Sequence, residues 1–576
     1  MAALDILFLN LHRRYLNIAP NYGGFIGIYI LSAFARQEGY NAKGYSGTLE
    51  EGLEILDELC AAEKVSMIGL YCDYENVTEN IFLSRHVKEK YNLPVILGGP
   101  QATALGENFF IESKCNAVVR YEGEITVLEL MNFYLEGVGE LENILGITYL
   151  TENGLNKNPE RPLIKNLDAL PFIDANCYLD EENFYFNLGI MTGRGCPFHC
   201  AFCHEGAHTR QVRFRSVENV LAEIDAYLKN FPANEEVYIF FTDDTFTLNT
   251  QRVKQICNGL AERRKTRNLK FFCEGHIHTL YKNPEMIEYL AKGGCIRMQI
   301  GLEAGTDKIL KAYGKNTTSE EIFEVVRRCR DAGIQQVYGN IILGGANFSR
   351  EIFEADKKFV RQLIQESQGV VEIGAVTFWP LAETKMTRCP ENFGIKICDS
   401  EFVTSVGDFP QTETAELDRW TIAEMRQELH TVVFAQMAEM LENWQVPTER
   451  ILSWFPKSRH NNYGMWYNEL RRHEILYAYY QILKIGEGFH STQIENLAAA
   501  HPMRVAMLYK YLRKIDESTV EICGEKFFGK ESEILLLTTG KLSVAEISER
   551  VKMEIPKVLQ VLSRLERKHL IVYALH

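Results

Sequence analysis

The sequence contains no apolar stretch that approaches the roughly 20 residues needed to span a membrane. Its opening segment, MAALDILFLN, holds an apolar run that is too short, and too soon followed by charge, for a secretion signal. The 14 cysteines are scattered through 576 residues, which is not the pattern of a disulfide framework. We therefore expect a cytoplasmic protein with reduced thiols and no membrane partner.

Basic residues are too few for a broad nucleic-acid-binding surface. The chain has 62 lysines and arginines against 77 aspartates and glutamates, which gives a formal net charge of −15. Polynucleotide binding requires clustered lysine and arginine, so this balance argues against a nucleic-acid partner, although it leaves room for a local basic groove. A chain of 576 residues is too long for one hydrophobic core, and we expect several domains.

The chain does contain a clear α/β pattern. Over residues 1–140, short apolar runs alternate with helical spacing, which is typical of a parallel sheet. The strand candidates are LDILFLN, SMIGLYC, LPVILGG and NAVVRYEGE. Ligands of such sheets bind at the carboxyl ends of the strands. Residues 141–182 are rich in Asn, Pro and charge and are predicted to be a linker.

A second alternation predicts a partial (β/α)6 barrel over residues 183–400, with its chemistry at the carboxyl ends of the strands. Its six strand candidates are FNLGIMTG, EVYIFFTDD, LKFFCEG, CIRMQIGLE, VYGNIILGG and VVEIGAVTFWP. Residues 401–485 are predicted to be helical. Residues 486–576 are predicted to form helices followed by a strand hairpin or wing, with Ser543 and Glu546 as a capping box.

The stretch GRGCPFHCAFC places Cys196, Cys200 and Cys203 in one short loop after a strand-like run. Thiolates are soft ligands suited to zinc or to iron–sulfur clusters. A structural zinc site needs four ligands, whereas the nearest other cysteines, Cys177 and Cys257, are distant in sequence. A [4Fe–4S] cluster with three thiolates leaves one iron open to a substrate or cofactor.

Two other interpretations of the three thiols stay open at this point. A zinc site could be completed by His199 or His204, and the thiols could also be ordinary buried side chains. Cys389 and Cys398, in CPENFGIKIC, are too few for a second cluster, and we interpret them as structural.

The segment CPFHCAFC resembles the signature of radical S-adenosylmethionine (SAM) enzymes. RFRSVENVLAEI, FFTDDTF, QIGLEAGTDKIL and GNIILGG follow in the order of comparable segments of that superfamily. The resemblance implies that Cys196, Cys200 and Cys203 hold a [4Fe–4S] cluster and that SAM chelates its open iron. It also implies that SAM is cleaved reductively to a 5′-deoxyadenosyl radical, which abstracts a hydrogen atom from the substrate.

The same resemblance suggests the other SAM contacts, most of which also have a structural alternative. Glu303 could reach the ribose of SAM or the substrate. Phe202 matches an aromatic position near the adenine or is a core anchor. The acidic residues after the second strand contact the methionine amine or cap a helix, and the glycines after the fifth strand admit the ligand or form a turn. The predicted SAM-binding residues are Phe202, Asp243, Asp244, Glu303, Gly344 and Gly345.

Residues 1–140 resemble the Rossmann-like cobalamin-binding domain that precedes the barrel in one class of radical SAM enzymes. The segments NYGGFIGIYILSAFARQEGY, IGLY, VILGGPQAT and VVRYEGEIT carry this likeness. In that class the corrinoid lies at the carboxyl edge of the sheet, against the radical site. The predicted cobalamin-binding residues are Gly23, Gly24, Tyr71, Cys72, Gly98, Gly99, Pro100, Thr103, Glu122 and Gly123.

The loop after the first strand departs from many cobalamin domains. These carry an Asp-x-His-x-x-Gly segment whose histidine binds cobalt, but His12 lacks both the Asp and the Gly. We therefore favour cobalamin binding without a histidine ligand, with His12 as an ordinary loop residue. A sheet that has lost cobalamin is the alternative.

The combined resemblance implies a cobalamin-dependent radical SAM C-methyltransferase that acts on an unactivated carbon. One alternative keeps the cofactors but catalyses cyclisation or rearrangement without methyl transfer. The other is a cofactor sensor that binds DNA. A reductant of flavodoxin or ferredoxin type is an expected partner. Residues 486–576 resemble winged-helix domains, which bind leader peptides of ribosomally made peptides, bind DNA or pack between subunits. The substrate is therefore predicted to be a ribosomal peptide or another natural product.

Overall fold

The computed structural model divides the chain into two compact units. The first comprises Met1–Val360 and Ile373–His430, and the second comprises Arg361–Glu372 and Thr431–His576. The structure describes residues 3–12, 26–74, 76–186, 189–204, 211–398, 409–455, 464–485, 494, 496–505 and 511–574.

The first unit begins with a seven-stranded sheet in the order β2-β1-β3-β4-β5-β6-β7, in which β1 to β5 are parallel. The apolar run of β1 is buried on both faces, which explains its central place in the sheet. The strands are β1 (Ile6–His12), β2 (Ala42–Thr48), β3 (Ile68–Tyr71), β4 (Val95–Gly98), β5 (Ala117–Val119), β6 (Ile147–Thr151) and β7 (Gly154–Lys157).

Helices connect these strands and cover the sheet. Thr48 and Glu51 form a capping box at the start of α2, so that two backbone N–H groups of its first turn are satisfied. The helices are α1 (Gly27–Gln37), α2 (Leu49–Ala61), α3 (Val77–Tyr91), α4 (Pro100–Ala104), α5 (Glu107–Ser113) and α6 (Glu124–Glu136).

Two features of the sheet differ from the sequence prediction. The expected linker over residues 141–182 is wrong in its first part, because β6 and β7 form a hairpin that pairs antiparallel with β5. The edge strand β2 was not predicted, because its sequence AKGYSGT has no continuous apolar run. The sheet therefore extends past residue 140.

The second part of the unit contains a six-stranded sheet in the order β15-β14-β13-β12-β11-β8, and all six predicted barrel strands are present. The pairings along β8, β11, β12, β13 and β14 are parallel. The strands are β8 (Gly189–Ile190), β9 (Gly193–Arg194), β10 (Arg213–Phe214), β11 (Glu236–Phe241), β12 (Asn268–Gly275), β13 (Cys295–Ile300), β14 (Gln336–Leu343) and β15 (Val371–Thr377). The short strands β9 and β10 pair with each other.

Helices alternate with these strands, as the predicted (β/α)6 pattern requires. They are α7 (Glu181–Phe186), α8 (Val217–Leu228), α9 (Thr250–Arg263), α10 (Ile277–Lys282), α11 (Glu285–Gly293), α12 (Asp307–Ala312), α13 (Ser319–Asp331), α14 (Arg350–Ser367) and α15 (Lys385–Arg388). Short 3-10 helices lie at Leu141–Asn143, Leu167–Ala169, Ala175–Cys177, Phe246–Leu248 and Pro390–Phe393. The strands β16 (Ile395–Ile397) and β17 (Thr412–Thr414) form an antiparallel pair.

The described residues from 431 to 485 of the second unit are mostly helical. The prediction that residues 401–485 are helical is wrong at β17, which is a strand of the first unit. The helices are α16 (Arg419–Glu442, which begins in the first unit), α17 (Thr448–Trp454), α18 (Met465–Arg472) and α19 (Glu474–Ile485). Inside this unit the buried Trp466 donates its indole N–H to the carbonyl of Val371 at 2.7 Å. Among the described residues no helix is both long and apolar enough to cross a membrane.

The described residues of the C-terminal part form two small sheets and three helices. Strand β18 (His501–Arg504) pairs antiparallel with β22 (Ile571–Ala574), and a separate sheet has the order β19-β20-β21. Ser543 and Glu546 form the predicted capping box. The winged-helix assignment stays a prediction. The remaining elements are β19 (Leu512–Lys514), β20 (Thr519–Ile522), β21 (Glu525–Phe528), α20 (Gly529–Leu537), α21 (Val544–Val551) and α22 (Ile555–Arg567).

Candidate functional site

The loop that carries Cys196, Cys200 and Cys203 follows β9 directly. All three thiols are half-buried, and none of them is in a disulfide bond. Gly195 begins the loop at a φ of 91°, which favours glycine, and its N–H donates to Asp244 at 3.1 Å. The N–H of Cys203 donates to the carbonyl of Cys200 at 3.2 Å, which closes a turn between the last two thiols.

Residues after β13 support the thiol loop from one side. The N–H of Ala201 donates to the carbonyl of Tyr313 at 2.8 Å. Gly314 has a φ of 75°, and a Cβ built there would lie 3.0 Å from the carbonyl oxygen of His199. The ring of Phe202 meets that of Tyr313 edge-on at 5.2 Å between centroids. Phe202 therefore anchors the loop in the fold, which is the structural alternative given for it above.

The donor set fits an iron–sulfur cluster. Three thiols that lie half-exposed on one loop are soft ligands, and each ligand of a [4Fe–4S] cluster binds a different iron atom. Within the described residues, no group of three or more His, Cys, Asp or Glu side chains is arranged to hold a single metal ion. Burial raises the pKa of Cys200, whereas the nearby Lys315 ammonium acts in the opposite direction.

The adjacent carboxylates Asp243 and Asp244 have different environments. Asp243 is buried and accepts hydrogen bonds from both the backbone N–H and the hydroxyl of Thr192, at 2.5 Å for the N–H. Burial raises its pKa. Both of its oxygens are thus used inside the protein, so its predicted contact with SAM has no support in the geometry. Asp244 instead accepts the hydrogen bond from the Gly195 N–H, and it also lines a cavity beside the thiol loop.

The other three predicted SAM residues lie after β13 and β14. Glu303 pairs with Lys315 at 2.9 Å beside the thiol loop. Gly344 accepts a hydrogen bond from the Thr412 hydroxyl at 2.9 Å through its carbonyl. A Cβ built at Gly345 would lie 2.0 Å from the Tyr313 hydroxyl, so packing alone requires glycine there.

A cavity of about 360 Å³ lies between the carboxyl edge of the N-terminal sheet and the thiol loop. This volume is in the range of small-molecule sites. Arg194, Gly195, His204 and Asp244 line it on the side of the thiol loop. On the side of the sheet it is lined by seven of the predicted cobalamin-binding residues, namely Tyr71, Gly98, Gly99, Pro100, Thr103, Glu122 and Gly123.

Three predicted cobalamin-binding residues, Cys72, Gly23 and Gly24, are not among those that line the cavity. Cys72 is fully buried in the hydrophobic core, and burial raises the pKa of its thiol. Its carbonyl would lie 2.5 Å from a Cβ at Gly99, which lines the cavity, whereas Cys72 itself does not line it. Gly23 and Gly24 lie outside the described residues. His12 is the last residue of β1, and it does not line the cavity.

Arginines that the sequence analysis missed connect the cavity wall to the thiol loop. Arg194 pairs with Glu122 at 3.1 Å and with Glu124 at 2.5 Å, and Arg213 pairs with Glu122 at 2.7 Å. All four side chains are at least four-fifths buried. Arg194 could have been suspected from its place directly before Gly195, whereas its acidic partners are remote in sequence.

A histidine also escaped the sequence analysis. His276 follows β12 and stacks on Phe198, which lies between the first two thiols of the loop. Its backbone N–H donates to the Thr247 hydroxyl at 2.9 Å. Burial, followed by the Lys315 charge, lowers the pKa of His276 to about 3, so the ring is neutral. His204 faces the cavity, and burial lowers its pKa too.

Known proteins share parts of this sequence. Residues 190–360 match the model of the radical SAM superfamily. An uncharacterised methyltransferase of Pyrococcus horikoshii is 31% identical over 295 residues, which are 50% of this chain and 60% of that protein. The anaerobic magnesium-protoporphyrin IX monomethyl ester cyclase of Cereibacter sphaeroides is 26% identical over 271 residues, 45% of this chain and 43% of the cyclase. The chain therefore spans less than two thirds of either relative.

A solved structure extends the likeness to most of the chain. TsrM from Kitasatospora setae, a radical S-adenosylmethionine methyltransferase with cobalamin and a [4Fe–4S] cluster bound, matches with a TM-score of 0.61 at 15% identity. The match covers 83% of this chain and 99% of TsrM, and at this identity it shows the fold alone. Residues 190–360 are thus a radical SAM domain, in a chain that has the fold of a cobalamin-bound radical SAM enzyme.

Proposed function

We propose that this protein is a cobalamin-dependent radical SAM C-methyltransferase. The observation that carries the proposal is the single cavity that joins the carboxyl edge of the N-terminal sheet to the thiol loop. A corrinoid bound along that edge would lie beside SAM held at the cluster. When bound, the cluster supplies the electron for SAM cleavage and cobalamin carries the methyl group.

The described residues have definite tasks in this proposal. Cys196, Cys200 and Cys203 would hold the cluster, since they are the thiols of one half-exposed loop. Gly98 leaves the cavity wall open for the nucleotide tail of cobalamin, because a Cβ there would meet only Val119, at 3.7 Å or more. The pairs of Arg194 with Glu122 and Glu124 hold the sheet edge against the loop.

The test is anaerobic reconstitution with iron, sulfide and cobalamin, followed by analysis of the products formed from SAM under reducing conditions. The proposal predicts bound iron, sulfide and cobalamin, and both S-adenosylhomocysteine and 5′-deoxyadenosine as products. Cys200→Ala should lose the cluster and 5′-deoxyadenosine formation. Cys389→Ala is the matched control, because that thiol is exposed. Zinc in place of iron, or unchanged turnover after all three loop cysteines are replaced by alanine, would contradict the proposal.

A second candidate reaction is ring formation without methyl transfer. It is favoured by the likeness to a protein named as a cyclase. This reaction predicts 5′-deoxyadenosine alone, with no S-adenosylhomocysteine and no product that is heavier by one methylene group. The product analysis described above separates the two candidates.

Further parts of the proposal concern partners and location. The chain needs a one-electron donor, which we propose to be of flavodoxin or ferredoxin type. We also propose a cytoplasmic location, where thiols stay reduced, because none of the 14 cysteines, all of which lie in the described residues, is in a disulfide bond. Recognition of a peptide by the C-terminal residues stays a prediction, as does the identity of the substrate.

A further inference from the structure

A buried ion pair lies at the carboxyl end of β13, beside the thiol loop. Lys315 Nζ is 2.9 Å from Glu303 Oε1, and the two side chains are 9% and 12% exposed. Removing two charges from water costs free energy that their attraction only partly recovers, so such a pair is weak evidence for stability alone. A role for its charges in the site is the more informative explanation.

The backbone around the pair is specialised to hold it. Glu303 has a φ of 61°, a left-handed conformation that costs free energy for a residue with a side chain. Its N–H donates to the carbonyl of Asn340 and its carbonyl accepts from Ile342, so β14 fixes this conformation. A Cβ built at Gly301 would lie 2.1 Å from Lys315 Nζ and 2.4 Å from Glu303 Oε1, so a side chain there would displace the ends of both charged side chains.

The segment that carries Lys315 is bonded to the thiol loop. Tyr313 accepts the Ala201 N–H at 2.8 Å, and Gly314 contacts the His199 carbonyl. Lys315 is the next residue, so this bonded segment holds the ion pair beside the thiol loop.

We propose that the ion pair of Lys315 and Glu303 sets the reduction potential of the iron–sulfur cluster. Reduction adds one negative charge to the cluster, and a nearby ammonium stabilises that charge while a carboxylate opposes it. Lys315 therefore raises the potential, and Glu303 limits the rise. Both are positioning residues for the cluster, and this inference rests on the function proposed above.

The test is a redox titration of the reconstituted full-length protein, with dithionite and mediators and with detection by electron paramagnetic resonance. Lys315→Met should lower the midpoint potential, and Glu303→Gln should raise it. The double variant should lie between the two single variants. Lys315→Arg keeps the charge and should stay close to the wild type. A merely structural pair would give no such opposite shifts.

Two results would overturn the inference. One is a set of loaded variants that share the wild-type potential, and the other is a pair of single variants that shift in the same direction. If Lys315→Met does not load iron and sulfide, Glu303→Gln and Lys315→Arg still decide the question. The inference needs only the cluster of the proposed function. If the proposed function fails at the cluster, the wild-type protein contains no iron and sulfide; if it fails only at methyl transfer, the cluster is present and its potential is still measured.

Discussion

The imidazole of His276 lies flat on the ring of Phe198, with the ring centroids 3.6 Å apart and the planes 10° from parallel. Phe198 is part of the thiol loop, and His276 follows the third strand of the barrel sheet in chain order. The Nδ1 atom of His276 is buried and has no hydrogen-bond partner. The contact therefore fixes the loop by stacking rather than by a hydrogen bond at that nitrogen.

Substitutions of His276 should show whether its ring stacking on Phe198 or its polar ring nitrogens hold the thiol loop. His276→Phe keeps an aromatic ring on Phe198 and should load iron and sulfide like the wild type. His276→Ala loses a contact worth about 0.5–1.5 kcal/mol beyond area burial, so its loop should release iron faster to a chelator. The rate of iron release to the chelator is measured by absorbance. Equal release rates for both variants would show that the stack does not hold the loop.

The neutral state of His276 predicts a pH dependence of stability. In the unfolded chain the ring titrates near its ordinary pKa of 6.5, whereas the folded pKa is about 3. Protons therefore bind preferentially to the unfolded state below pH 6.5, and stability falls between pH 6.5 and about 3. From pH 7 to 5.5 the loss should be about 1 kcal/mol.

The measurement is the thermal midpoint of the wild type and of His276→Phe across that pH interval. The variant lacks the titrating ring, so its midpoint should fall less steeply than that of the wild type. The comparison removes the contribution of every other group that titrates in both proteins. Parallel curves would mean that the ring accepts a proton while it is buried.

Loss of Arg194 should destabilise the protein strongly. Arg194→Met leaves the buried Glu124 without its charge partner, and breaking a buried pair costs about 3–5 kcal/mol. We expect a lower thermal midpoint and a loss of bound cobalamin. The visible absorbance of the purified variant measures the bound cobalamin. Arg263→Met is the control, because the partner of Arg263, Asp225, is 49% exposed and such pairs contribute about 0–1 kcal/mol. Similar effects of the two substitutions would refute the importance of the Arg194 network.

Two neighbouring glycines should respond differently to a methyl group. Gly99 has a φ of 113°, and a Cβ there would lie 2.5 Å from the Cys72 carbonyl, so Gly99→Ala should lower the thermal midpoint. A Cβ at Gly98 would meet only ordinary contacts with Val119. Gly98→Ala should therefore fold normally and bind cobalamin more weakly, because the methyl group narrows the cavity.

Gly106→Ala provides the matched control, because a Cβ there has no neighbour within 4 Å and the residue does not line the cavity. Its stability and cobalamin affinity should both stay at the wild-type values. The affinities are measured by titrating each protein with cobalamin and recording the tryptophan fluorescence. Wild-type affinity of Gly98→Ala would place the nucleotide tail elsewhere.

The parts of the fold that were predicted correctly are those with continuous apolar runs. Buried parallel strands such as β4 and β14 carry such runs, which identify them directly. Strand β2 and the hairpin of β6 and β7 lie towards the edges of their sheet and are partly exposed, so their polar sequences resemble loops. Their pairing partners, which are tertiary information, decide their conformation.

The candidate site likewise contains residues that a local sequence motif predicted and residues that only the tertiary structure brings close. Cys196, Cys200 and Cys203 form a local motif, and their spacing alone was informative. Lys315 and His276 reach the thiol loop from other strands of the barrel, and a single sequence contains no local signal for that proximity. The sequence position of Asp243 after a strand suggested a ligand contact, and it gave no sign of the two hydrogen bonds that the carboxylate accepts from Thr192.

The arginines beside the cavity have a consequence for protein engineering. A chimera that takes the first 157 residues from another enzyme would remove Glu122 and Glu124 but keep Arg194 and Arg213. If the foreign sheet has no acidic residues at these two positions, both guanidinium groups would be enclosed without counterions, and the graft would be destabilised even if that sheet bound its own corrinoid. Any exchange of modules in this protein must transfer these four side chains together.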